Sequence, residues 1–408
     1  MTCRLDSSVP INYLQQQVHY PCLTLQMIIA IFMALVFTMF PCRAASPSDQ
    51  ATPIVGSLWP ASRDGKWGYI DNTGKFIVPP IYQGVYDFSG GYAGVMLDHK
   101  IGFIDETGKV VLKPQFTNIT NFSEGLARVV VSERFLDSFN ITTVTRFIDV
   151  HGRQAFAREC ESTYHPTLIT PAPFALISMP MLPRLFHEGL AAARDGNRIG
   201  YIDKTGSFAI APAYEYASDF SEGVAVVTIE GKYRIIDTKG NLVANLPSGV
   251  ESVDDSREGL LLAVMAGKRG FLSHKGEWVL SPRHEYVSPF FEGLALIAVQ
   301  QNSAGSFGCK QTTRRLVGYM DHSGKTVIGP QFEDTLNNRF SEGLAAAKRA
   351  GEDKVGYIDK KGKFVIKPEF YSGGTFRKGL ARVYVKDRGG KYFFGYINTR
   401  GQYVWREK

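Results

Sequence analysis

The sequence predicts an all-β protein built of nine tandem three-stranded antiparallel meander repeats, and three observations carry that prediction. A glycine before a short apolar strand returns at Gly56, Gly91, Gly125, Gly189, Gly223, Gly259, Gly293, Gly343 and Gly379, with six of the eight spacings between 34 and 36 residues. Fixed self-similarity at such a period marks a repeat architecture. Near-copies of "KVGYIDKKGKFVIKPEF" (354–370) recur at 66, 100 and 198. Each copy joins two short β-branched and aromatic runs through a turn, which is the text of a hairpin, and a hairpin alone is marginal in water.

From the N-terminus, residues 27–40 are fourteen uncharged, mostly apolar residues followed by "PCRAASPSDQ". A membrane span needs roughly 20 apolar residues, so this length fits the apolar part of a signal peptide and assigns 1–45 as signal peptide or N-terminal anchor. The repeat array then fills 56–406. Its units fall near 57–80, 92–114, 126–156, 190–212, 224–245, 260–282, 294–330, 344–368 and 380–406.

Within a unit the first strand reads "GLAAAK", the second "KVGYID" and the third "KFVIK". Strands two and three meet in a turn whose Asp, Asn or Ser stands three places before Gly. The clearest copies are Asp71 with Gly74, Asp105 with Gly108, Asp203 with Gly206, Asp237 with Gly240, Asp321 with Gly324, and Asp359 with Gly362. Asp favours the first position of a type I turn, and Gly supplies the left-handed backbone that closes the bulged hairpin. Pro79, Pro114, Pro212, Pro282, Pro330 and Pro368 end the third strand, where the missing donor stops the ladder. Periodic aromatics follow, such as Phe370 and Phe376, and belong in the layer between units. Nine units exceed the usual four to eight propeller blades and three strands fall short of four, which leans toward an open solenoid or superhelix over a closed propeller-like ring.

The text "KWGYIDNTGK" (66–75) with "FSEGLA" (122–127) resembles the WG repeat family, also called KWG repeats. The resemblance covers nearly all of the array, with Arg146 and Arg234 standing where the family has Gly. It implies an all-β repeat protein, common in bacteria and often exported. It transfers no catalytic, metal or cofactor residue.

The acids give no separate chemistry. Glu124, Glu188, Glu222, Glu258, Glu292 and Glu342 recur in "EG" turns, and a residue present in almost every unit is better explained by a task every unit has. No continuous calcium loop, zinc spacing or distinctive carboxylate pair interrupts the repeat. Formal net charge is +7, with Lys and Arg scattered instead of gathered among stacking aromatics, which argues against a nucleic-acid partner. What distinguishes the units is insertion, at 131–144, 157–184 and 299–315, with a smaller extension at 384–391. Cys160 and Cys309 lie in two of these loops and could pair in an oxidising compartment if the loops meet. Insertions on repeat proteins gather on one face and carry binding sites. The expectation is therefore an exported, non-catalytic binding or scaffold protein, without cofactor, recognising a protein or a cell-envelope glycan through its insertions. Its membrane contact would be through the N-terminal segment only. The alternative is an envelope hydrolase with a site between irregular units.

Overall fold

The computed structural model describes residues 57–407, apart from 138–139, 157–159, 165–183, 303–312, 336 and 388. The segment 1–45, Cys309 and most of the insertion 157–184 lie outside the described residues. Among the described residues every regular element is a strand, and no helix is long and apolar enough to cross a membrane.

Unit eight shows the plan, with strands Ala345–Arg349, Val355–Ile358 and Phe364–Phe370 paired antiparallel in order. The turn after strand two is the one the sequence implies. Gly362 N donates to Asp359 O at 2.9 Å, and Asp359 Oδ1 accepts from the N–H groups of Lys361 and Lys363. The link to the next unit adds a short further strand in several units, such as Gly84–Val85 in unit two and Ser372–Gly373 in unit nine. Strand count thus reaches four in several sheets, and pairing of Phe332 with Arg349 and Glu333 with Lys348 joins units seven and eight into one seven-stranded sheet.

The glycine of the second strand has a steric reason. In unit eight the ladder slips between Val355 and Tyr357, and a Cβ on Gly356 would lie 2.5 Å from the Ile366 carbonyl oxygen and 2.7 Å from Pro368 N. Gly68, Gly102, Gly200, Gly270, Gly318 and Gly395 meet the same obstruction from strand three. Where Arg replaces this glycine, strand three gives way. Arg234 pairs directly with Asn245 on a strand shortened to Leu242–Asn245. Beside Arg146 the third strand shrinks to the single bridge Ile148 with Gln154, and strand two, Asn140–Asp149, instead pairs with Cys160–Tyr164 from the insertion.

Nine hydrophobic clusters form the core, and each joins neighbouring units. Tyr357, Ile366 and Phe370 of unit eight meet Phe376, Ala381 and Val383 at unit nine. Each turn glycine sits on strand three of the preceding unit, where Gly362 covers Ile328 and Gly401 covers Ile366. The series does not stop at unit nine. Gly74 of unit one covers Val404 and Trp405 of unit nine, and Ala61 and Ile70 share a cluster with Leu380, Phe394 and Tyr396. Trp67 stacks on Phe394 at 5.6 Å, and the Arg382 guanidinium lies 3.9 Å from the same ring's centre. The strand-two hydroxyls of Tyr201 and Tyr357 donate to link carbonyls at Ser218 and Gly374, while that of Tyr396 donates to Pro60 O at 2.9 Å. Of the two arrangements the sequence leaves open, these contacts select the closed ring, against the lean toward an open array. The ring closes by face packing of complete units, so no sheet has to be shared between the chain ends.

Two predictions follow the packing. Gly356→Ala should cost about 1–3 kcal/mol, the usual cost of forcing extra volume into a filled site, in urea unfolding followed by circular dichroism. Tyr396→Phe, which leaves the buried Pro60 carbonyl without its donor, should cost about 1 kcal/mol. Tyr403→Phe, at a ring 40% exposed, should be neutral in the same measurement.

Candidate functional site

The antiparallel order puts the "EG" turns and the Asp-x-x-Gly turns on one rim of the ring, and the hairpins between strands one and two on the other. The first rim is repetitive. Glu124, Glu188, Glu222, Glu258, Glu292 and Glu342 have left-handed backbones, φ 50 to 55°. Each carboxylate accepts from the N–H of the glycine one unit further on, as Glu342 does from Gly379 at 2.9 Å. A left-handed non-glycine residue costs about 1–2 kcal/mol, and a hydrogen bond to a charged group returns about as much. The repeated acids are therefore joints between units.

Histidines at this rim join in. His322 stacks on Phe290 at 4.1 Å and lies 3.2 Å from Glu258 while its side chain stays 44% exposed. The buried Ser256 hydroxyl is 2.5 Å from Glu222 Oε2 and 2.6 Å from His274 Nε2. A nucleophilic triad needs the histidine between serine and acid. Here the serine lies in the middle, and the trio is another joint.

A second polar group gathers where the links of units four to six approach one another. Arg184 lies 3.7 Å and His187 3.8 Å from Asp219, whose Oδ1 is buried without a hydrogen bond. Asp255 belongs to the same neighbourhood. Its carboxyl is raised above the usual range by lost hydration and by Asp219, with Arg184 opposing, although its surface remains accessible to water. A raised folded value means stability that is present at low pH and lost as pH rises through that value. Asp255→Asn should therefore raise the thermal midpoint at pH 7 and leave it unchanged at pH 3, by scanning calorimetry at both.

The hairpin rim carries the departures from repetition. The insertions 131–144 and 299–315 prolong hairpins as paired strands, Leu126–Asp137 with Asn140–Asp149 and Leu294–Asn302 with Thr313–Met320. The short hairpins are capped from the link before them. Gln83 accepts from His99 N, Glu215 from Gly231 N, Glu251 from Gly267 N and Glu333 from Gly351 N, at 2.9 to 3.2 Å. At unit nine the corresponding residue is Tyr371, which is 50% exposed and caps nothing. Its ring meets Tyr392 edge-on at 4.8 Å, and Lys386 Nζ lies 5.2 Å from the Tyr392 centroid.

Beside this corner opens a cleft of about 580 Å³, whose lining includes Lys348, Lys354, Lys386, Tyr371, Thr335 and Asp353. Lys348 is held by Glu333 at 2.5 Å. A smaller cleft of about 180 Å³ lies at the base of the unit seven hairpin, between Glu285, Tyr286 and Arg315, but Arg315 already covers Tyr286 at 3.7 Å. The periodic aromatics do not take part, since Phe116, Phe332, Phe370, Phe186, Phe340 and Phe376 are buried between units. Tyr371 and Tyr392 escaped the sequence reading because they stand one place off the periodic aromatic and inside an extended hairpin. The signal was available as a tyrosine where units two, five, six, seven and eight have Gln or Glu. Among the described residues no group of three or more His, Cys, Asp and Glu could hold a metal ion.

An all-β ring of repeats with the W-G text in strand two defines the class. The WG containing repeat matches at 67–100, 101–134, 199–233, 270–303, 318–351 and 356–392, and the chain belongs to this family. Each match runs from strand two of one unit into strand one of the next, and none starts at Arg146 or Arg234. None of the curated proteins matches the chain. Among solved structures the chain is similar to dipeptidyl peptidase 4 of Porphyromonas gingivalis, with 10% identity, TM-score 0.46, and coverage of 80% of this chain and 59% of that one. It is also similar to the extracellular domain of a putative hybrid two component system of B. thetaiotaomicron, with 10% identity, TM-score 0.25 and coverage of 85% and 52%. A third is the WD40 domain of SCAP from fission yeast, with 8% identity, TM-score 0.30 and coverage of 85% and 97%. The chain thus spans less than two thirds of the length of the first two.

Proposed function

We propose that this protein is an exported, non-catalytic binding or scaffold module that captures its partner on the hairpin rim of units seven to nine. The observation that carries the reading is the cleft beside Tyr371, built where one unit exchanges a hairpin cap for an exposed aromatic and lengthens the hairpin opposite. At four other places around the ring the residue at this position caps a hairpin, so a departure that gives up the cap for an exposed aromatic calls for another use. Export rests on the fourteen-residue apolar segment at 27–40. The non-catalytic reading is supported by the lining, where three amines accompany the one carboxylate of Asp353; glycoside hydrolysis draws on two carboxyls.

The test is capture from cell-envelope extract by residues 46–408, beside the variant Tyr371→Ala/Lys386→Ala. Recovery of the partner should fall at least about ten-fold, the equivalent of 1.4 kcal/mol, with the β-type circular dichroism retained. Equal recovery by both proteins would move the site away from this cleft. A third protein lacking 131–144 and 299–315 reports whether the longer hairpins share in the binding.

A further inference from the structure

Resting on that reading, we infer that the ligand of the unit eight to nine cleft is an acidic glycan bearing carboxylates. The cleft has the two components such a ligand requires. One wall is aromatic, formed by Tyr371, and Tyr392 just outside the cleft meets its ring at 64°. A pyranose ring presents a face of C–H groups that packs on such a surface, and tyrosine supplies it at low entropic cost.

In the remaining lining three amines outnumber the one carboxylate, Asp353. Lys354 comes from the hairpin of unit eight and Lys386 from that of unit nine, with Lys348 behind them held by Glu333. Ammonium groups on flexible stems neutralise carboxylates at varied angles without the fixed bidentate fork of arginine, which the lining does not contain. The volume of about 580 Å³ lies within the range of small-molecule sites. It accepts a short stretch of a chain.

The neighbouring surface extends the same chemistry. Glu333 joins Lys348 at 2.5 Å and Arg314 at 4.0 Å, and Arg315 lies 3.4 Å from Asp334, next to Thr335 in the cleft wall. A polar track thereby connects the unit eight to nine cleft with the base of the unit seven hairpin. A polyanion leaving the cleft would run along it by exchanging with these surface pairs, which are individually weak.

Isothermal titration with trisaccharides of galacturonate, glucuronate and mannuronate, each beside its methyl ester, tests the inference. At least one acid should bind, with its ester at least ten-fold weaker and the acid's affinity falling as salt rises from 50 to 300 mM. Tyr371→Ala should lose both forms, whereas Lys354→Gln/Lys386→Gln should remove only the preference for the acid. No binding by any acid, equal binding of acid and ester, or equal binding of hexaglutamate would overturn it. If the envelope capture above still depends on Tyr371 and Lys386 while every acid fails, the ligand class is wrong and the binding site stands. If capture is indifferent to them, the site itself is wrong.

Discussion

Everything in this ring depends on one contact, the seating of each turn glycine on the third strand of the unit before it. The turn that closes a hairpin also presents a backbone without a side chain to its neighbour, so Gly362 approaches Ile328 and Gly401 approaches Ile366 within van der Waals range. A single three-stranded sheet has too little apolar surface to offset its own ordering. Two sheets pressed face to face through these turns bury Tyr357, Phe370 and Phe376 together, and stability becomes a property of the interfaces. Because Gly74 makes the same approach to Val404 and Trp405, the array has nine interfaces for nine units, and neither end is left to be capped.

The secondary devices follow from that seating. Once neighbouring units are fixed, the "EG" glutamates lie within reach of the next glycine N–H, and their left-handed backbone becomes affordable. The Tyr hydroxyls reach link carbonyls for the same reason, and burial pushes the Tyr201 and Tyr357 phenols far above their ordinary range, so they remain protonated donors at any physiological pH. Among the described residues two joints depart from the series. Lys378 takes the glutamate's place in the turn before strand one of unit nine, with φ 47°, and Gly90 takes it in the turn of unit two. Their neighbours are held by apolar packing and by bonds such as Ser89 Oγ to Phe122 O.

Most of the fold was legible because the residues that make it are constrained locally. The Asp-x-x-Gly turns, the strand order and the nine-fold count all rest on chemistry confined to a few consecutive residues. Closure was not legible, since it depends on the angle accumulated over nine interfaces, and no residue encodes that angle by type. Strand number was misleading for a specific reason: the link contributes a fourth, two-residue strand too short to show as a hydrophobic run, as at Gly84–Val85. The second-strand glycine was visible as a motif without a cause. Only its approach to the Ile366 carbonyl explains why Arg146 and Arg234 coincide with damaged third strands.

The candidate site was legible in a different sense. Insertions pointed to the rim that holds the candidate cleft, but their length is a poor guide to chemistry, and the shortest of them, at 384–391, borders that cleft. In a ring of equivalent units a functional residue shows itself by abandoning a task its counterparts keep. Gln83, Glu215, Glu251 and Glu333 each satisfy a hairpin N–H that water could also satisfy, so the cap contributes little at this exposed rim and is free to be lost. The turn glycines are not free in this way, because a side chain there would separate two units. Variation can therefore collect on the hairpin rim without opening the ring, and the rim with the weakest structural demands is where a binding surface can form.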